Sequence, residues 1–202
     1  MNLIESLIMG KKIYQSDKYM NVVDVGNWDT TIILLPEYGT IAPGLDFTPL
    51  IDELSKSFRV VAVEPFGYGD SSITNHPRTV ENIVKEIHKT IETLDIEKYI
   101  VVTHSISGLY SIKYCNSYPN EVIRFVGLDS SVPNQPNYQN VGAFYEMRSI
   151  ARILGLYRGA VTINPSISLP NSGEDGRYTK KYYSKCIIEP MGLWKFSSNK
   201  WS

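Results

Sequence analysis

The sequence predicts an α/β domain, a mainly parallel sheet with helices on both faces, and two observations carry that prediction. Short apolar runs, Ile32–Leu35, Val60–Val63, Tyr99–Val102 and Val122–Val126, alternate with longer stretches whose apolar residues recur every three or four positions. Consecutive apolar residues suit a strand covered on both faces, and the longer spacing suits a helix with one buried side. Strands and helices in alternation call for parallel pairing through helical crossovers. At 202 residues, the chain suits one domain with an insertion at most, taking about 150 residues per domain.

The elements follow in order. Lys12–Gln15, Met20–Val25 and Thr30–Leu35 read as strands, the last two separated at Gly26-Asn27. Phe47, Leu50, Ile51, Leu54 and Phe58 mark one helical face between Asp46 and Phe58, with Pro49 in the first turn. Strand Val60–Val63 runs into a glycine-rich loop. Thr79 is placed to cap a helix whose apolar side is Val80, Ile83, Val84, Ile87, Ile91 and Leu94. Strand Tyr99–Val102, a turn over 103–108, a helix to about Tyr118 and strand Val122–Val126 follow. Beyond Asp129 the rhythm breaks into loop, with one more helical face at Phe144, Met147, Ile150, Ala151, Leu154 and Tyr157.

Composition narrows the function. Lys plus Arg number 20 against 21 for Asp plus Glu, a net charge of −1, so no broad positive field exists to hold nucleic acid. Hydrophobic residues at 43% and charged residues at 20% suit a folded core rather than disorder. Cys115 and Cys186 are too far apart in sequence for a Cys-x-x-Cys pair, and a reducing cytoplasm is the expected compartment. The opening nine residues contain Glu5 and no base, unlike a secretory signal, and no apolar run approaches the roughly 20 residues of a membrane span. Neither a zinc spacing nor a calcium loop occurs, and the Gly67-Tyr-Gly69-Asp-Ser-Ser72 run lacks the third glycine of a dinucleotide cradle. No metal and no cofactor are expected.

The sharpest chemical feature is Thr103-His-Ser-Ile-Ser-Gly108 between a strand and a helix. A serine on such a tight turn needs small neighbours two positions away on either side, here Thr103 and Ser107. The turn lifts the Ser105 hydroxyl above the sheet and leaves the Ile106 N–H at a helix N-terminus, where it can receive an oxyanion. Ser105 is the expected nucleophile; the competing reading is that Ser105 and Ser107 merely cap the helix.

From about residue 10 to 135 the chain resembles the α/β-hydrolase family. His104-Ser-Ile-Ser-Gly108 is similar to that family's nucleophile elbow. Leu34-Leu-Pro-Glu-Tyr-Gly39 is similar to its oxyanion segment, usually His-Gly-x-Gly, with Pro36 and Glu37 replacing the His and first Gly. Glu64-Pro-Phe-Gly-Tyr-Gly-Asp-Ser71 resembles its Asp-x-x-Gly-x-Gly-x-Ser loop, with Glu for Asp, and Val126-Gly-Leu-Asp-Ser-Ser131 resembles the end of its sixth strand. The resemblance implies a cofactor-free serine mechanism on a small-molecule ester or acyl substrate, with Tyr38 N–H as second oxyanion donor. Glu37 would oppose a neighbouring oxyanion unless its carboxylate points away.

In that family the base is a late histidine and the acid usually follows the seventh strand. This chain has only His76, His88 and His104. His76 is the candidate base within the chain and Asp129, after the sixth strand, the candidate acid. Two further strand–helix units at about 30 residues each would not fit after a cap, so the expectation is a core of six strands over 1–135, a partial cap over 136–202 and weak or no turnover by the 202-residue chain. The alternative is a non-catalytic binding module on the same fold. An open sixth strand is expected to drive self-association, unless residues near Cys186-Ile-Ile188 cover it.

Overall fold

A computed structural model describes residues 10–37, 40 and 42–133. The helix expected at 144–157, the cap, Tyr38 and residues 186–188 lie outside them. Up to Val132 the described residues belong to one compact unit. None of its helices is long and apolar enough to cross a membrane.

The chain begins with a hairpin, β1 (Lys11–Gln15) and β2 (Lys18–Val25), then β3 (Thr31–Leu35). Two short helices follow, α1 (Pro43–Asp46) and α2 (Thr48–Leu54), leading to β4 (Arg59–Glu64). Helix α3 (Val80–Glu92), β5 (Tyr99–His104), α4 (Ser107–Ser117) and β6 (Val122–Leu128) complete the described part.

The helix expected between Asp46 and Phe58 is present as α2, with Pro49 in its first turn, and Phe47 parts it from the short α1 that precedes it. Pro49 is the reason: it has no N–H to give the Leu45 carbonyl, and its ring would strike that carbonyl in a continuous helix. It is accommodated instead in the first turn of α2. Thr79 caps α3 as its position suggests, its side chain accepting from Asn82 N–H at 3.3 Å.

The sheet has the order β1-β2-β4-β3-β5-β6. β3, β4, β5 and β6 run parallel, while β2 joins β4 antiparallel. Alternation along each strand sends side chains to both faces, so each face needs its own cover. Ile33, Val61 and Val101 pack with Ile83, Ile87, Tyr110 and Tyr114 from α3 and α4. Ile32, Leu34, Val60 and Val102 pack on the other face with Ile51, Leu50 and Leu54 of α2. The order reverses at β3: the chain crosses from β3 to β4 on one side and enters β5 on the other. A crevice opens at the carboxyl ends of strands where such a reversal occurs, which is where ligands bind in open α/β sheets. The ends of β3 and β5 therefore bound the candidate site.

Candidate active site

Ser105 stands between the end of β5 and the start of α4 with φ +55°. A residue other than glycine rarely occupies this left-handed region, and it costs about 1 kcal/mol or more. The strain is held by bonds on every side. Ser105 N–H donates to Leu128 O at 3.2 Å, and its carbonyl accepts from Gly108 N–H at 3.1 Å and Ser131 N–H at 2.8 Å. The residue is only partly buried. Ile106 N–H has no acceptor among the described residues.

The small residues flanking the turn do more than make room. The Ser107 hydroxyl accepts from His104 N–H at 2.9 Å and faces the carbonyls of His104 and Leu35 at 2.7 and 3.0 Å. It thereby fastens the start of α4 to the end of β3. Thr103 Oγ1 lies 2.8 Å from Ser130 Oγ, joining β5 to the loop after β6. The position that must be glycine is Gly108, where a Cβ would strike Ser131 O and Ser130 Cβ. The pattern around Ser105 concealed this crowding, because it comes from a loop more than twenty residues away.

Glu64, the replacement for the family's aspartate, is buried and accepts from Asp70 N–H at 2.8 Å, Asn21 Nδ2 at 3.1 Å and Gly44 N–H at 3.3 Å. One carboxylate thus gathers β2, the start of α1 and the loop after β4. Burial pushes its pKa up, and these hydrogen bonds pull against the rise. Gly69, at φ +48°, leaves the room this carboxylate fills, since a Cβ there would overlap Glu64. Ser71 Oγ completes the knot by donating to Glu64 O at 2.6 Å and accepting from Asn21 N–H at 2.7 Å. The sequence displayed Glu64, Gly69 and Ser71 as a motif without showing this junction.

Glu37, read as a threat to an oxyanion, lies with Oε2 3.6 Å from His104 Nδ1, both side chains partly exposed. Asp46 is close enough to feel Glu37 and Glu64. Partial burial of its carboxyl first, then those two negative charges, push its pKa up to about 6.

The candidate base and acid are not joined to Ser105. His76 is largely exposed, with Nδ1 3.5 Å from Glu86 Oε1, and Glu86 also pairs with the buried Arg78. His88 lies 3.0 Å from Glu121 and 3.5 Å from Glu92 and stacks on Tyr118 with ring centroids 3.5 Å apart. Each of the three histidines thus faces a carboxylate. No hydrogen bond links any of them to Ser105 among the described residues. Asp129 is exposed just beyond β6 at φ +45°. Among the described residues no cluster of His, Cys, Asp and Glu could hold a metal ion.

Comparisons with known proteins bear on the fold that carries these residues. A solved structure of a variant of the meta-cleavage product hydrolase CumD matches with a TM-score of 0.61 and 25% identity, over 67% of this chain and 51% of that one. Cfl2 from Burkholderia cenocepacia matches with a TM-score of 0.62 at 18% identity, over 75% of this chain and 56% of that one, a likeness of fold alone. In sequence, the uncharacterized protein YbdG of Bacillus subtilis (strain 168) is 27% identical over 119 residues, 58% of this chain and 37% of that protein. A putative non-heme haloperoxidase of Mycobacterium phage D29 is 30% identical over 84 residues, 42% of this chain and 30% of that protein. The chain therefore spans about a third of the length of these two relatives. The family model described as the alpha/beta hydrolase fold matches residues 32–200, and with the strained serine turn and the sheet order in place, the chain belongs to the α/β-hydrolase fold family.

Proposed function

We propose that this chain carries the nucleophile of a serine-dependent ester or acyl hydrolase acting on a small molecule. The observation that carries the reading is the left-handed backbone of Ser105 at a strand–helix junction beside an amide without an acceptor among the described residues. Such strain persists only where surrounding structure holds it, and it concentrates at working sites. In the reaction, Ser105 Oγ adds to the acyl carbonyl and its proton leaves with the departing alcohol. The carbonyl oxygen becomes an oxyanion facing Ile106 N–H, and water then releases the acid from the acyl-serine. Tyr38 N–H is proposed as the second donor, though Tyr38 lies outside the described residues.

One observation favours a second reading, a binding module without turnover: all three histidines face carboxylates and none reaches Ser105. A serine without a base is a poor nucleophile at neutral pH, so slow chemistry is expected. A fluorophosphonate probe followed by peptide mass spectrometry separates the two. The expected result is a slowly formed adduct on the peptide containing Ser105, absent after Ser105→Ala. Recovery of that peptide unmodified after prolonged exposure would leave only the binding reading.

A further inference from the structure

We propose that Tyr110 is a positioning residue for the serine chemistry: its buried hydroxyl holds the Pro36 carbonyl and thereby sets the course of the chain as it leaves β3 alongside the Ser105 turn. The role rests on the reading of Ser105 as a nucleophile.

Sheet pairing stops short of this segment. The last residue of β3 with a partner in β5 is Leu35, opposite Thr103, and the last with a partner in β4 is Leu34. Pro36 is buried and has no N–H, so its carbonyl is the one backbone group by which it can be fastened. Two hydroxyls from α4 take over where the strands leave off. Ser107 Oγ lies 3.0 Å from Leu35 O, and Tyr110 Oη donates to Pro36 O at 3.4 Å. Residues three apart share a helix face, so one turn of α4 grips two consecutive carbonyls. The next residue, Glu37, has its carboxylate 3.6 Å from Nδ1 of His104, the residue before the nucleophile.

The phenol is not there for bulk alone. Tyr110 is 2% exposed, and a hydroxyl taken out of water costs free energy unless it is bonded, whereas phenylalanine would fill the same space without that cost. Tyr99 and Tyr114, equally buried, meet the requirement by lying 2.6 Å apart, hydroxyl to hydroxyl, with Tyr99 also donating to Glu121 at 2.8 Å. Tyr110, one turn of α4 before Tyr114, sends its hydroxyl to the end of β3 instead. Burial pushes its pKa up, against the pull of Ser107 and the charge of Arg78, so the hydroxyl keeps its proton and remains a donor. In the serine reading the segment after β3 brings a donor to the oxyanion, and a misplacement of about 1 Å at such a point can cost about a hundredfold in rate.

The test treats the 202-residue chain with the fluorophosphonate probe at rising concentrations, which separates the limiting rate of capture from binding of the probe. Tyr110→Phe is expected to lower the limiting rate about three- to tenfold, the worth of one hydrogen bond, with the half-saturating concentration unchanged. Tyr114→Phe removes a buried hydroxyl from the same helix and is expected to lower the urea midpoint while capture keeps the wild-type rate. The contact has a signature of its own. Pro36-Glu37 is the one Pro-Glu pair in the sequence, so a chain isotopically labelled at proline carbonyl carbons and glutamate nitrogens gives a single carbonyl–nitrogen NMR cross-peak, and Tyr110→Phe should move that carbonyl upfield. A carbonyl that stays in place, equal capture by wild type and Tyr110→Phe, or equal slowing by both substitutions would each overturn the role of Tyr110 alone. So would unfolding on loss of this one hydroxyl, which would make it part of the fold and no more. A wild-type chain that never takes up the probe would end the serine reading, and this role with it.

Discussion

Ser105 spends conformational energy that a glycine would not. At φ +55° the cost to a residue with a Cβ is about 1 kcal/mol, and the surrounding hydrogen bonds offset it. Ser105→Gly is therefore expected to raise stability by about 1 kcal/mol in urea unfolding, whereas Ser105→Ala, which keeps the Cβ, should not. Gly108 presents the opposite case. Its absent Cβ makes room for backbone of the loop after β6, and backbone cannot swing aside as a side-chain tip can. Gly108→Ala should cost about 2 kcal/mol, seen as a lower urea midpoint, with slower phosphonate capture as the elbow shifts. Asp46 carries a pH signature. Its folded pKa, about 6 against an ordinary 3.8, lets the folded chain keep a proton that the unfolded chain has released. The stabilisation is full below about pH 4 and fades as pH rises through about 6. Asp46 is exposed by area, so solvent screens the effect to about 1 kcal/mol or less. Asp46→Asn should flatten that part of the pH profile and gain stability mainly above pH 6.

Among the elements, α3 shows how far local pattern carries. Its apolar spacing and the position of Thr79 foretold a capped helix, and the capping bond from Asn82 N–H is present. Thr79→Ala should lower stability by about 1 kcal/mol, measured by thermal or urea unfolding. The strands were equally legible, because consecutive apolar residues such as Ile32–Leu35 have few other uses in a folded chain. The separate helix Pro43–Asp46 was not foretold, because four residues are too few to display a helical period. In the site, the serine turn could be read from its neighbours in sequence. The convergence of Asn21, Gly44 and Asp70 on Glu64 could not, since residues from three distant segments meet there only after the sheet is assembled.

At the scale of the molecule, the parallel sheet followed from alternating patterns, but its order did not. Whether β4 or β5 lies beside β3 depends on crossovers, and in fact both do. That arrangement puts the Leu35 carbonyl within reach of Ser107 and so ties the end of β3 to the turn that holds Ser105. The same assembly disperses the imidazoles: His76 goes to Glu86, His88 to Glu121 and His104 to Glu37. Among the described residues, a proton leaving the serine hydroxyl then meets no ring nitrogen poised to collect it. A freely diffusing substitute should serve in its place, and adding imidazole to the buffer is expected to accelerate phosphonate capture at Ser105 in proportion to its neutral concentration.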